Sequence, residues 1–409
     1  MNSGKLGNLL SLLNERERTR MHEFLQSPYF NRSQPILRLY RYWNQCQVAG
    51  TEALEDQALF EEVLPGQKYS SVKLKNLKAA LQRKLDAFFA QEVFQNDEGQ
   101  RSLAVLHYLN LKNEEKYFPY YAERASIQLN SLGLERAQLE LLAFRVQDEE
   151  LDFSSRQGSR TEEFGSAKTY KHAQSFFYLE TLKYLVRQEN NVAILGSLPE
   201  TEQATKALAV MSEGEELAEA SLYHALLKVF QAPSDRAAFD VLVQGLSEQG
   251  GKIAAVDARE VYTGALNHCI RQINHGETSF LNEMLALYKE MDMHNLLQVN
   301  ALLPAAQFKN MVSLGLRCAD FDWVQAMIDK YGNLVADDAQ GNASAFNQGV
   351  LFFFQGDFSS AEKFLNKVLA AYDDVFYGLD ARAYLLRVHY ETGNVLGMES
   401  LAESFKMFL

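Results

Sequence analysis

Three short segments, Ala319-Asp320-Phe321, Gly356-Asp357-Phe358 and Gly393-Asn394-Val395, follow one another at a spacing of 37 residues. Equal spacing of this kind is the mark of stacked supersecondary units, each of which buries its apolar face only against its neighbours. The length of 409 residues agrees with that reading, because single cores stop growing at roughly 250–300 residues. The chain is therefore either several domains or an elongated stack.

Apolar residues recur at three- and four-residue spacing almost throughout, and no stretch alternates for long enough to predict a strand. Leu9, Leu10, Leu12, Leu13, Met21, Phe24 and Leu25 predict one amphipathic helix ending at Ser27-Pro28, since the residue before proline is pushed out of the α region. Tyr29 and Phe30 are expected to plug the following corner. Asn31 or Ser33 would cap the next helix, which carries Ile36, Leu37, Leu39, Tyr40 and Trp43. Further helices are expected over about 55–63 and 71–93, from 103 to 146 with breaks at Phe118-Pro119 and Leu132-Gly133, and over about 166–190, 200–211, 214–231 and 234–248. Asp152 to Gly165 has little periodicity and much turn chemistry, which predicts a loop or a hinge. The polar run Gln95 to Gln100 marks the first expected boundary.

The middle copy of the repeated turn lies in ASAFNQGVLFFFQGDFSSAEKFLNKVLA, residues 343–370. This unit is similar to a tetratricopeptide repeat. Gly349 and Ala361 stand where small residues let two helices touch, and Phe364, Leu365 and Val368 fill the seam. The flanking copies carry Val312 and Leu386 at the first small position and Val324 and Met398 at the second. Looser copies have turns at His275-Gly276-Glu277 and Pro233-Ser234-Asp235. The resemblance implies an all-α chain, an α-α superhelix of tetratricopeptide-like helix pairs with an N-terminal helical module. The expected divisions are 1–97 for that module, 98–250 for an irregular helical region and 251–409 for the repeats. The Ser27-Pro28-Tyr29-Phe30-Asn31 segment resembles a group of uncharacterised bacterial helical proteins, a likeness that implies no activity.

In such stacks the first helix of each pair lines a groove. Aligned on the repeated turn, the groove-facing positions are Lys309, Ser313 and Arg317, then Phe346, Val350, Phe353 and Phe354, then Ala383, Arg387 and Tyr390. Aromatic side chains flanked by Lys and Arg suit a peptide with apolar anchors and carboxylates. The alternative is that Phe346, Phe353 and Phe354 pack against an adjacent helix, as apolar residues at helical spacing commonly do.

The formal net charge is −13, and it is uneven: residues 1–95 hold 13 Lys/Arg against 10 Asp/Glu, the remainder 27 against 43. An acidic body repels nucleic acid, so any phosphate contact belongs to the N-terminal part. There, the helix over 71–93 carries Lys73, Lys75, Lys78, Arg83 and Lys84 after a short helix and a Pro-Gly turn. These cations spread over a wide arc, as on the solvated face of a bundle helix. The start does not read as a secretory signal and no apolar run approaches the roughly 20 residues of a membrane span. Cys46, Cys269 and Cys318 form no C-x-x-C pair, which fits a reducing compartment, the cytoplasm.

Phosphate-loop, dinucleotide, zinc-peptidase and serine-hydrolase signatures are absent from the sequence. His268, Cys269, His275 and His294 are the nearest approach to a metal cluster, but zinc sites use tighter ligand pairs. Neither a cofactor nor a metal is expected. The leading expectation is a non-catalytic scaffold or adaptor that binds a protein or peptide partner. The second is a regulator touching nucleic acid through the basic N-terminal module, and the third an enzyme whose site carries no recognised signature.

Overall fold

The computed structural model describes residues 5–49, 55–129, 131–157, 162–195, 208, 217–335, 340–370 and 375–408. Among these residues there are nineteen helices, two isolated β-bridges and no strand, so the fold is all-α. The chain divides into two compact units, Met1–Leu132 and Gly133–Leu409. Neither expected boundary coincides with this division. At residue 97 the chain passes straight from one helix into the next, with Asp97 Oδ1 accepting from the Gln100 N–H at 2.8 Å. At residue 250 a glycine sits tightly against the Leu246 carbonyl and the Tyr262 ring, where a Cβ would lie within 2.6–2.9 Å of both.

The first unit contains α1 (Lys5–Ser11), α2 (Glu15–Gln26), α3 (Gln34–Ala49), α4 (Asp56–Val63), α5 (Ser71–Asn96), α6 (Glu98–Leu111) and α7 (Phe118–Leu129). The single first helix expected from the sequence is two helices. Asn14 accepts from the Glu17 N–H at 3.0 Å while the Glu17 carboxylate accepts from the Asn14 N–H at 2.8 Å, a capping box that starts α2. At the next corner only Phe30 acts as a plug, stacking on Phe24 at 4.2 Å. Tyr29 is 88% exposed. Asn31 is buried and ties the corner internally rather than capping α3, donating to the carbonyls of Leu25 and Ser33 and accepting from the Ser33 N–H. Leu10, Met21, Leu25, Leu39, Tyr40, Trp43, Phe60 and Leu81 fill the core of this unit.

The second unit begins with the long hairpin of α8 (Arg136–Arg156) and α9 (Glu162–Leu195). The loop expected over 152–165 is therefore mostly helix: residues 152–156 close α8 and 162–165 open α9. Asp152, Ser155 and Arg156 occupy exposed positions at the end of α8, which single-sequence turn chemistry does not distinguish from a loop. The helix expected over 200–211 lies outside the described residues apart from Leu208, which is buried. Helix pairs follow: α10 (Ala218–Gln231) with α11 (Arg236–Gln249), α12 (Ala255–Asn274) with α13 (Phe280–Met293), α14 (Ala305–Arg317) with α15 (Phe321–Tyr331), α16 (Gln340–Phe354) with α17 (Phe358–Ala370), and α18 (Val375–Glu391) with α19 (Val395–Phe408). The first helices also touch one another, α10 against α12, α14 against α16 and α16 against α18.

The 37-residue spacing is a repeated hydrogen-bond pattern. Ala319, Gly356 and Gly393 all adopt left-handed backbone, at φ 57°, 80° and 68°. The next N–H donates five residues back in every case, Asp320 to Gly315, Asp357 to Phe352 and Asn394 to His389, at 2.9–3.0 Å. The side-chain oxygens of Asp320, Asp357 and Asn394 then accept from the N–H groups of Trp323, Ser360 and Gly397 at 3.0–3.2 Å and cap the second helix. One difference concerns close packing. Gly349 fits the expected small position, since a Cβ there would lie 2.9 Å from Leu365 Cγ. In α14 that role belongs to Gly315, not Val312, because a Cβ at 315 would meet Val324 Cγ2 at 2.5 Å and the Trp323 ring at 2.9 Å.

Ala319 is the only member of these three turns that bears a Cβ in left-handed backbone, where an L side chain costs roughly 1–2 kcal/mol. Ala319→Gly relieves that cost, partly offset by the greater freedom of glycine in the unfolded chain. A net gain of about 0.5–1 kcal/mol is expected. Urea unfolding followed through this unit measures it, and a loss of stability would refute the assignment of strain.

Candidate functional site

The expected groove residues do not form an open groove. Phe346 and Val350 are buried, and Phe346 packs on Tyr377 at 5.3 Å and Tyr384 at 6.0 Å, both on α18. Phe353 is half-buried and meets the same Tyr384 ring at 5.5 Å. Lys309 pairs with Asp380 and lies over Phe346 and Tyr377, and Arg387 lies over Tyr384 at 5.1 Å. The chain's own α18 thus packs against Phe346, Phe353 and Lys309, which a partner was expected to contact. Arg317, Phe354, Arg387 and Tyr390 remain exposed, the last at 73%.

The cations of α5 are not gathered either. Lys78 pairs with Asp56 at 2.6 Å, Lys84 donates to the Phe30 carbonyl and Lys73 donates to Gln67 at 3.2 Å. Lys75 and Arg83 are exposed. The buried stripe Leu74, Leu81, Leu85 and Phe88 takes one face of α5 and leaves the cations distributed around the rest. Of the expected histidine and cysteine cluster, His268 and Cys269 are buried core residues and His275 and His294 end α12 and α13. Among the described residues no group of His, Cys, Asp and Glu is arranged to hold a metal ion.

A cleft lies elsewhere, on the first-helix side of the second unit, with a volume of about 390 Å³. Its floor is apolar: Leu226 and Phe230 of α10, Met291 of α13, and Leu296 and Leu297 of the connection to α14. Val186, Arg187 and Asn190 of α9 form one wall. Arg259, Glu260, Thr263, Gly264 and Asn267 of α12 form the other, and Val299 and Gln307 complete the rim. The α12 positions recur every three or four residues and so share one face of the helix. Gly264 sets the depth, because a Cβ there would stand 2.5 Å from Leu226 Cδ2 and hold α10 and α12 apart.

The connection that closes one end is unusually ordered for a loop. Val299 and Leu302 exchange both backbone hydrogen bonds, at 2.8 and 3.1 Å, around Asn300 and Ala301 at φ 53° and 65°. Two successive left-handed residues define a type I′ turn, the tightest hairpin connection. The Leu303 N–H then donates to the Leu334 carbonyl at 2.7 Å, fixing this hairpin to the end of the α14–α15 pair. Val299 is presented at the cleft 51% exposed.

Behind the α12 wall is a buried ionic cluster. Lys183 of α9 is 1% exposed. Its ammonium pairs with Asp257 at 2.9 Å and with Glu135, and stands 3.8 Å from Glu260. It also lies over the Tyr223 ring at 5.1 Å. Tyr223 donates to Asp257 and Glu260, at 3.1 and 2.8 Å, and the Arg136 N–H donates to Asp257 at 2.8 Å. Burial, together with the two carboxylates, holds the Tyr223 phenol far above its ordinary pKa, so it remains a donor. Glu260 is the member that reaches the cleft, and Arg187 covers it there at 3.0 Å. The cluster therefore joins α8, α9, α10 and α12 and presents a compensated carboxylate at the surface.

Sequence reasoning missed this cleft because its lining comes from five segments between residues 186 and 307. One local signal was available: Gly264 interrupts a strong helical pattern, and a glycine inside a helix commonly marks a close approach. No helix among the described residues is long and apolar enough to cross a membrane. No protein-family model, curated protein or solved structure matches the chain.

Proposed function

We propose that this protein is a non-catalytic adaptor, whose second unit is a tetratricopeptide-like superhelix and whose partner seats in the cleft between α9, α10 and α12. The observation that carries this reading is the character of the cleft. An apolar floor with a sparse rim of amides, a hydroxyl and arginines orients a bound side chain. Among the described residues its lining contains no Cys, His or Lys, and the one carboxylate among them, Glu260, is already engaged by Arg187, Lys183 and Tyr223. Such a set has no free nucleophile or base to offer a reacting group. The repeated turns and the contacts among first helices support the superhelix. The three cysteines are free thiols, which supports the reducing cytoplasm as its compartment.

Photo-crosslinking tests the reading directly. A benzophenone side chain placed at the exposed rim position Thr263 is expected to give a discrete protein adduct in cells, and one at Gln244, exposed on α11, is not. Equal adducts at both positions, or none at Thr263, would overturn it.

A further inference from the structure

The second unit, residues 133–409, carries 38 Asp/Glu against 23 Lys/Arg. Carboxylates are abundant, and five cations take one from a neighbouring helix: Arg187 pairs with Glu260, Arg236 with Glu283, Lys289 with Asp320, Lys309 with Asp380 and Lys330 with Asp292. Two half-buried arginines of α12, at the cleft or beside it, are not paired in this way. Arg259, on the cleft wall, makes only a long 3.5 Å hydrogen bond to the Gln298 carbonyl. Arg271 lies over the Phe230 ring at 4.6 Å and donates to Asn190 at 3.0 Å, and both Phe230 and Asn190 line the cleft. Neither arginine has an ion-pair partner among the described residues. Burial draws the Arg271 pKa below its ordinary value, so the desolvation of this cation is not offset by a neighbouring carboxylate. An incoming anion offsets it, and a guanidinium already held by stacking and one hydrogen bond loses little further freedom on pairing.

The distance between the two arginines selects the kind of anion. Twelve residues of helix separate them, or about 18 Å at 1.5 Å per residue. That span exceeds one small organic acid and matches an extended chain in which two acidic residues stand about five or six positions apart, at roughly 3.3 Å per residue. Leu226, packed against Gly264, falls between the two cations along α12, opposite the middle of such a segment, and Phe230 lies under Arg271. The glutamate in the wall is no obstacle, since Arg187 and Lys183 already compensate it.

We infer that the cleft binds an extended acidic segment of a protein partner, with one bulky apolar side chain on the Leu226–Phe230 floor and flanking carboxylates on Arg259 and Arg271. This rests on the adaptor reading above and adds the chemistry of the partner.

A phage-displayed library of random dodecamers, selected on the whole protein and counter-selected on Thr263→Trp, tests it. Thr263 is exposed at the rim, so a tryptophan there fills the cleft with little demand on the core. Expected are sequences with an aromatic or branched apolar residue flanked on both sides by Asp or Glu. A synthetic consensus peptide, followed by fluorescence anisotropy, is expected to weaken about tenfold with Arg259→Glu and with Arg271→Glu, and to weaken as salt rises. Arg271→Gln, which keeps a donor for Asn190, controls for folding, and a peptide with lysine in place of one acidic residue is expected to recover binding to Arg259→Glu. Enrichment of apolar anchors without acidic flanks overturns the acidic assignment and leaves the adaptor reading standing. Displacement by free 3-phenylpropionate at the concentrations where the peptide binds reassigns the cleft to small acids. Failure to enrich any sequence over Thr263→Trp overturns both readings.

Discussion

Lys183→Met is expected to destabilise the second unit by about 3–5 kcal/mol, the range for removing one partner of a buried ion pair. Methionine matches the length of the side chain, so the effect is electrostatic. Asp257, Glu135 and Glu260 would be left facing one another with the Tyr223 hydroxyl, the Arg136 N–H and, at Glu260, Arg187 as their remaining donors. Adding Asp257→Asn is expected to restore part of the loss, since the amide oxygen still accepts one of the two hydrogen bonds made to Asp257 and the amide brings no charge. The protein has two tryptophans, Trp43 in the first unit and Trp323 in the second. With Trp43→Phe as background, Trp323 fluorescence in urea follows the second unit alone. A cost below about 1 kcal/mol for Lys183→Met would show that the cluster is not a structural anchor of the four helices it joins.

The second large effect is a pH dependence arising from His268. Its ring is 1% exposed, stacks on Phe239 at 5.1 Å and meets Phe280 edge-on at 5.5 Å. Nδ1 has no hydrogen-bond partner. Burial, followed by the charges of Arg271 and Arg236, pushes its pKa from 6.5 down to about 4. The folded-state value lies below the unfolded one, so the unfolded chain takes up the proton first as pH falls. Stability present above pH 6.5 is lost progressively between pH 6.5 and 4. At 1.36 kcal/mol per unit the full loss is about 3 kcal/mol. His268→Phe retains the aromatic packing and removes the titration, so the urea midpoint of this unit is expected to fall less between pH 7 and 4.5 than in the parent protein. Equal slopes in the two proteins would place the acid sensitivity in the carboxylates instead.

Local chemistry made most of the helices legible. The start of α5 at Ser71, the Pro65-Gly66 turn before it and the turns at Ala319, Gly356 and Gly393 all stand where sequence reasoning put them, because helix starts and left-handed turns depend on a few consecutive residues. The break between α1 and α2 was equally local, in the Asn14 to Glu17 spacing, and was overridden by a run of leucines that looked continuous. The stretch 152–165 failed in the opposite direction, since polar residues on long hairpin helices imitate a loop.

The first-helix faces show where local information ends. Periodicity gives the direction of Phe346, Val350 and Lys309, but Tyr377, Asp380 and Tyr384 of α18 decide that this direction is occupied. The cleft presents the converse case, with Arg259 and Arg271 gaining significance only because, among the described residues, no carboxylate pairs with them. Lys183 reads as an ordinary solvent-facing cation of α9 until α8, α10 and α12 surround it. The amino-acid sequence by itself determined the all-α class and the repeated turn, because both follow from hydrogen bonds and steric limits within a few residues. Which faces stay open and which charges stay unpaired was decided by tertiary packing, since exposure and ion pairing depend on helices far apart in the chain.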